Sequence, residues 1–315
     1  MIQAEKEVEH INCDFCKSTE FKVYDKLNSW QIVKCSNCGF IFTNPRPTLK
    51  TLPNYYQEEY FKDERHYSKF YNEDGSIKVA GIDYHSRIAD IEHHVQQRGN
   101  LLEIGCARGE FLKQMKARGW SVNGVEISED ASTYAREQNH IDVFCGTLEE
   151  YKEEKLFDVI CMYQTLEHVP HPQYVIERSF SLLKSGGIVV IEVPNVQAFD
   201  MKISKERTRL SYDLPRHLNH FYPSQLEKEL KKCGFKTVDI DLHYPNFVLQ
   251  FTEFLAKKRQ GTPQAEEKVH ESNSDKQERS TKYPLLRKHE TWKGKQLKKV
   301  SSMFPGWKFT IIAKK

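Results

Sequence analysis

Four residues, Glu103, Gly105, Gly109 and Glu126, are spaced to hold a small polar ligand. An apolar run (Leu101, Leu102, Ile104) ends in the two glycines, which let the backbone turn and approach a ligand without a Cβ in the way. An amphipathic helix follows, with Phe111, Leu112 and Met115 on one face, so its free N–H groups point into the same crevice. A second apolar strand, Val122–Ile127, brings Glu126 roughly 20 residues past the glycines, where an acid accepts both hydroxyls of a ribose. A pyrophosphate loop would usually read G-x-G-x-x-G. Here an acid stands two residues before the first glycine, which repels a pyrophosphate but suits a ligand carrying an ammonium and a sulfonium.

Cys13, Cys16, Cys35 and Cys38 form two C-x-x-C pairs separated by eighteen residues. Each pair presents two thiolates from one tight turn, and together they complete a tetrahedral zinc site. A redox C-x-x-C would occur once, beside a βαβ unit. Four thiolates leave no open position, so the metal is expected to be structural and to fold a ribbon too small for its own core. Cys106, Cys145, Cys161 and Cys233 read as small buried side chains. His217 and His220, three apart among aromatics, supply a base near neutral pH. The alternative for both is a loop that hydrogen-bonds itself shut; His168, after Glu167, reads as a residue that orients its loop.

The alternation of strand and helix from Asp83 to Pro194 predicts a parallel, doubly wound sheet. Lys236–Tyr244 and Trp307–Ala313 read as an antiparallel edge, and Leu226–Cys233 as a helix ended by Gly234. The expected organisation is a zinc ribbon over 1–47, a tyrosine-rich helical connector over 48–80, and a main domain over 81–315 with an insertion at about 245–305. Within the insertion, Phe247–Lys258 reads as helix, Gly261–Thr281 as disordered, and Tyr283–Met303 as a basic, solvated face. A net charge of +3 suggests no polyanionic partner, and no apolar run is long enough to cross a bilayer. The acidic start of the chain is unlike a signal peptide, so a cytoplasmic protein is expected.

The loop from Glu103 to Gly109 resembles the first motif of the class I S-adenosylmethionine-dependent methyltransferases, with Ala107 where that loop commonly has a glycine. Three later segments continue the resemblance in order: Cys145–Glu149, Phe157–Val169 and Leu182–Asn195. A Rossmann-like α/β domain with a seven-stranded sheet is therefore expected. A flavin- or dinucleotide-binding domain fits Glu103 and the later motifs less well. The resemblance implies that Glu103 and Gly105 lie at the methionine end of S-adenosylmethionine and that Glu126 holds the ribose. It also places Gly109, Ile127, Thr147, Leu148 and Gln164 around the cofactor, with Thr147 and Leu148 near the adenine.

The whole chain is similar to a narrower group, bacterial sugar and natural-product methyltransferases with an amino-terminal zinc ribbon. Shared features are the cysteine pairs with Cys38–Pro45, Tyr55, Tyr56 and Tyr60, and His217-x-x-His220-Phe221. In deoxysugar C-methyltransferases of that group a Glu-His pair holds the proposed base; here it reads Arg216-His217, and the long carboxyl-terminal domain of those enzymes is absent. Both departures shift the expected reaction from carbon to a hydroxyl of a small molecule, with a nucleotide-linked sugar as one acceptor, its phosphate held by Arg207, Arg209 or Arg216. An RNA methyltransferase using the ribbon is disfavoured, because the ribbon's lysines stand among acids. A non-catalytic scaffold is disfavoured by the intact Glu103, Gly105, Gly109 and Glu126.

Overall fold

The computed structural model describes residues 7–52, 55, 84–199, 201, 212–243 and 306–315. Tyr56 and Tyr60, most of the expected connector, Arg207 and Arg209, and the insertion with its three segments lie outside the described residues. Among the described residues no helix is long and apolar enough to cross a membrane.

A seven-stranded sheet carries the fold. Its strands are β6 (Asn100–Ile104), β7 (Ser121–Glu126), β8 (Asp142–Cys145), β9 (Phe157–Tyr163), β10 (Leu183–Pro194), β12 (Lys236–Leu242) and β13 (Lys308–Lys314), in the order β8-β7-β6-β9-β10-β13-β12. The first five are parallel, and β13 enters antiparallel between β10 and β12. Strands covered on both faces need continuous apolar runs, and β9 and β10 carry them at their centres: Val159–Met162 and Ile188–Ile191 are each at most 1% exposed. The helices α1 (Tyr84–His94), α2 (Glu110–Ala117), α3 (Glu129–Glu137), α4 (Pro172–Leu182) and α5 (Pro223–Cys233) cover the two faces. Phe111, Leu112 and Met115 are the buried face of α2, and a left-handed Gly234 ends α5, as their spacing predicts. Gly124 sits where the loop after β6 presses on β7. A Cβ there would lie 2.5 Å from the Cys106 sulfur.

In the ribbon, β1 (Val8–Glu9) pairs with β5 (Arg46–Pro47), and β2 (Phe21–Leu27) pairs with β3 (Trp30–Cys35) as the expected hairpin, to which β4 (Ile41–Thr43) is added. Its fourth strand comes from the main domain. The strand β11 (Asn219–His220) pairs antiparallel with β4. Phe40 and Phe42 stack at 5.5 Å and join the core cluster that holds Phe221, Leu226 and Phe309. Asp14 accepts from the Gln173 amide, capping α4, and Arg46 donates to the Pro170 carbonyl. Ribbon and sheet therefore share one core.

Two of the four remaining cysteines depart from expectation. Cys106 and Cys161 are buried, but Cys145 is exposed and Cys233 half-buried. Cys145 ends an edge strand that is paired on one side only, and Cys233 is the last residue of α5.

One buried charge network ties the first helix to the sheet. Arg87 of α1 donates to Glu192 at 2.7 Å and lies 4.1 Å from the Tyr163 ring centre, while Lys308 reaches the other Glu192 oxygen at 2.9 Å. Burial alone would push Glu192 up, but Arg87, Lys308 and His243 outweigh it and hold it at about 2. A depressed carboxyl contributes stability above the usual carboxylate range, and that contribution is lost as pH falls towards about 2. Arg87→Leu should lower unfolding free energy by about 3 kcal/mol at neutral pH, because it strips a buried carboxylate of its nearest cation. Urea unfolding between pH 7 and 3 checks this: wild type should lose stability below about pH 4.5, and the variant should lose less.

Candidate active site

The parallel strands end together at one edge of the sheet, where the side chains expected to bind ligand meet. Glu103 sits near the end of β6, 4% exposed, and its Oε2 has no hydrogen-bond partner. Burial pushes its carboxyl up to about 8, with Arg87 pulling down and Glu126 adding to the rise. Gly105 follows at φ +74°, a left-handed turn, and a Cβ there would stand 2.4 Å from the Thr165 hydroxyl. Gly109 is the N-cap of α2. Ala107 holds the left-handed φ of +47° that a glycine would take without cost, and its N–H donates to Glu126 Oε2 at 2.8 Å. Glu126 Oε1 accepts from the Ser128 amide at 2.8 Å, so the carboxylate is fixed between the two loops.

Ile127, just past β7, is 70% exposed, an apolar surface at the crevice. Gln164 takes φ +56° after β9, and its Nε2 is buried without a partner, as is the Tyr163 hydroxyl. Thr147 donates its hydroxyl to Glu150 at 3.1 Å, and Leu148 is 3% exposed, turned into the core. Unpartnered polar atoms from β6 and β9, with a glycine turn that a Cβ would fill, fit a ligand with polar groups at both ends of this crevice.

A second group stands beyond β10. His217 lines a small cavity with Pro194, Val196, Met201, Tyr212, Asn219 and His220. The His168 ring stands 4.7 Å from His217, and Asp213 Oδ2 is 3.8 Å from His217 Nε2. The acidic partner missing beside His217 in sequence is thus supplied by Asp213, four residues earlier. Burial opposes charge on Asp213, yet Arg216 and the two imidazoles outweigh it and keep it below the usual range. Arg216, expected among the phosphate-holding residues, spends its guanidinium on Asp213 through Nε at 2.9 Å and through Nη2.

His168 Nδ1 lies 3.1 Å from the Arg216 carbonyl, and since a carbonyl only accepts, Nδ1 is the donor and carries the proton. Burial, then His217, hold His168 down at about 3. Glu167 is 1% exposed and neither carboxyl oxygen has a partner, so burial pushes it far up. Glu167, His168 and His217 bring their ligand atoms within 4.8 Å of one another. His220 is enclosed and bonds Thr43 Oγ1 at 3.0 Å; burial alone holds it at about 3. Glu167 and Asp213 lie beside the histidines in sequence, yet no spacing marks them as partners; Arg87 has no sequence signal.

The four ribbon sulfurs also converge, all within 4.8 Å, with Cys13–Cys38 at 3.4 Å and Cys16–Cys35 at 3.5 Å. A tetrahedron with zinc–sulfur arms of about 2.3 Å has edges of about 3.8 Å. The donor set fits that ion. The hydrogen bond from Cys13 draws Cys38 down to about 5, towards the metal-binding thiolate.

A family model described as the methyltransferase domain matches residues 78–240. The ubiquinone biosynthesis O-methyltransferase of Coxiella burnetii is 27% identical over 188 residues, covering 56% of this chain and 80% of that protein. The protein of that name from Nitrosococcus oceani is 27% identical over 212 residues, covering 62% of this chain and 89% of its own. A solved structure of a SAM-dependent methyltransferase from Archaeoglobus fulgidus shares the fold, with a TM-score of 0.50 at 20% identity over 82% of this chain and 100% of that one. With the family matched over more than half its length and the sheet order on the page, the chain belongs to the methyltransferase-domain family, as a class I S-adenosylmethionine-dependent methyltransferase.

Proposed function

We propose that this enzyme methylates a hydroxyl of a small organic acceptor, a sugar or natural-product intermediate, with His217 as the base. The observation that carries the reading is the cluster beyond β10: an imidazole lining a cavity, backed by Asp213 and beside a buried carboxyl whose two oxygens lack partners. When bound, the cofactor supplies an electrophilic methyl group. His217 takes the acceptor's proton, Asp213 stabilises the imidazolium that results, and Glu167 offers the acceptor a hydrogen bond. A hydroxyl acceptor is also favoured by the two relatives, both named O-methyltransferases. A nucleotide-linked sugar is one such acceptor, but Arg216, already paired with Asp213, gives its phosphate no support.

In this reading Glu103 faces the cofactor's ammonium, Glu126 holds the ribose, Ile127 covers the adenine, and Gly105, Gly109 and Gln164 shape the pocket around them. Thr147 contributes backbone and Leu148 packs behind the adenine. The four cysteines hold one structural zinc ion. The basic segment 282–303 has no assigned role.

Three outcomes test these proposals. Methyl transfer from labelled S-adenosylmethionine, screened over hydroxyphenols and sugar nucleotides, should find an acceptor whose turnover falls on the order of 10²-fold or more in His217→Asn; an undiminished variant refutes the base. At pH 7 the buried Glu103 carries a proton that a neighbouring ammonium should expel. Calorimetric titration with S-adenosylhomocysteine in phosphate and in Tris should therefore give different enthalpies for wild type and equal ones for Glu103→Gln. Elemental analysis should return one zinc per chain, lost in Cys35→Ser; a folded, zinc-free wild type would exclude the ribbon's metal.

A further inference from the structure

We infer that Thr43, a ribbon residue, is the positioning residue for His217, so that the ribbon is a working part of the acceptor site. The inference rests on the reading of His217 as base.

Thr43 is fully buried and makes three hydrogen bonds, all to the segment that carries the histidines. Its amide donates to the Leu218 carbonyl at 2.9 Å, its hydroxyl donates to the His217 carbonyl at 2.9 Å, and the same hydroxyl meets His220 Nε2 at 3.0 Å. A hydroxyl has one proton, and a carbonyl can only accept. The proton therefore goes to His217 O, and His220 must be the donor, as the neutral Nε2–H tautomer. Burial that disfavours the imidazolium agrees with that assignment. His220 is accordingly a fixed donor rather than a second base.

The other edge of the segment is stitched as tightly. The Leu218 and Asn219 amides donate to the Glu167 carbonyl at 2.8 and 3.0 Å, and the Asn219 side chain donates to Leu166 and Val169. The peptide that carries His217 is thus pinned between the ribbon strand and the loop that carries Glu167 and His168. Thr43 stands five residues past Cys38, at the end of the strand that the cysteine knuckle begins. Valine matches threonine in shape but offers neither donor nor acceptor, so it leaves two buried groups unpaired. Serine restores both.

The test is nitrogen-detected histidine NMR on full-length, ¹⁵N-histidine-labelled protein. Wild type should show His220 as the Nε2–H tautomer between pH 6 and 8. Thr43→Val should move the ring resonances of both His220 and His217, Thr43→Ser should return them, and S-adenosylhomocysteine affinity should stay within about twofold, since that crevice lies on other strands. An Nδ1–H or protonated His220 in wild type overturns the inference, whether or not any variant folds. Unmoved His217 resonances in a folded Thr43→Val overturn it as well. The base reading fails separately: if His217→Asn keeps full turnover while the Thr43 variants behave as described, Thr43 positions a histidine that is not the base.

Discussion

The five residues from His217 to Phe221 form little regular structure of their own, yet they lie in a dry interior where every backbone group needs a partner. Two neighbours meet that need from opposite sides: β4 of the ribbon, through Thr43 and the β11 pairing, and the turn after β9, through the Glu167, Leu166 and Val169 carbonyls. Ribbon, turn and acceptor segment cannot be placed independently. Moving any one of them strands buried polar groups on the other two, at about 1–3 kcal/mol each.

The cofactor crevice is arranged on the opposite logic, with polar atoms left waiting. Arg87 is committed to Glu192, and acts on Glu103 only through space; Glu103 therefore stays neutral in a buried position that a cation would find attractive. Glu126, by contrast, accepts two backbone N–H bonds and is held in place before any ligand arrives. One carboxyl is kept ready by desolvation and the other by preorganised donors. Both arrangements reduce what must be reordered on binding.

The parts of this fold legible in the sequence are those set by local rules. Glycine turns, apolar periodicity and C-x-x-C spacing place Gly105, α2, the hairpin and the parallel strands, because each rule acts within a few residues. The proximity of His217 to Asp213 has no such local marker: a turn brings the two together, and the sequence does not show that the chain turns there. Arg87 and Thr43 were invisible for a different reason. Their partners, Glu192 and His217, are over 100 residues away, and no spacing encodes a contact across the core. Exposure of Cys145 likewise depends on β8 being an edge, which is a property of the sheet and not of the strand.

Composition suggests an appended ribbon that zinc alone would fold, since some forty residues bury too little surface for stability. The packing changes that argument. Cys13, Cys35, Phe40 and Phe42 are buried in the same cluster as Phe221, Leu230 and Phe309, and Asp14 caps a helix of the main domain. Much of the free energy that orders the ribbon therefore comes from the sheet it rests on, and the cysteine cluster lies against that same core, with Asp14 of the first C-x-x-C pair bonded to the helix. From the cysteine cluster the chain runs directly through β4 to Thr43, three residues beyond the Phe40 carbonyl that accepts from Cys35, and so to the peptide of His217.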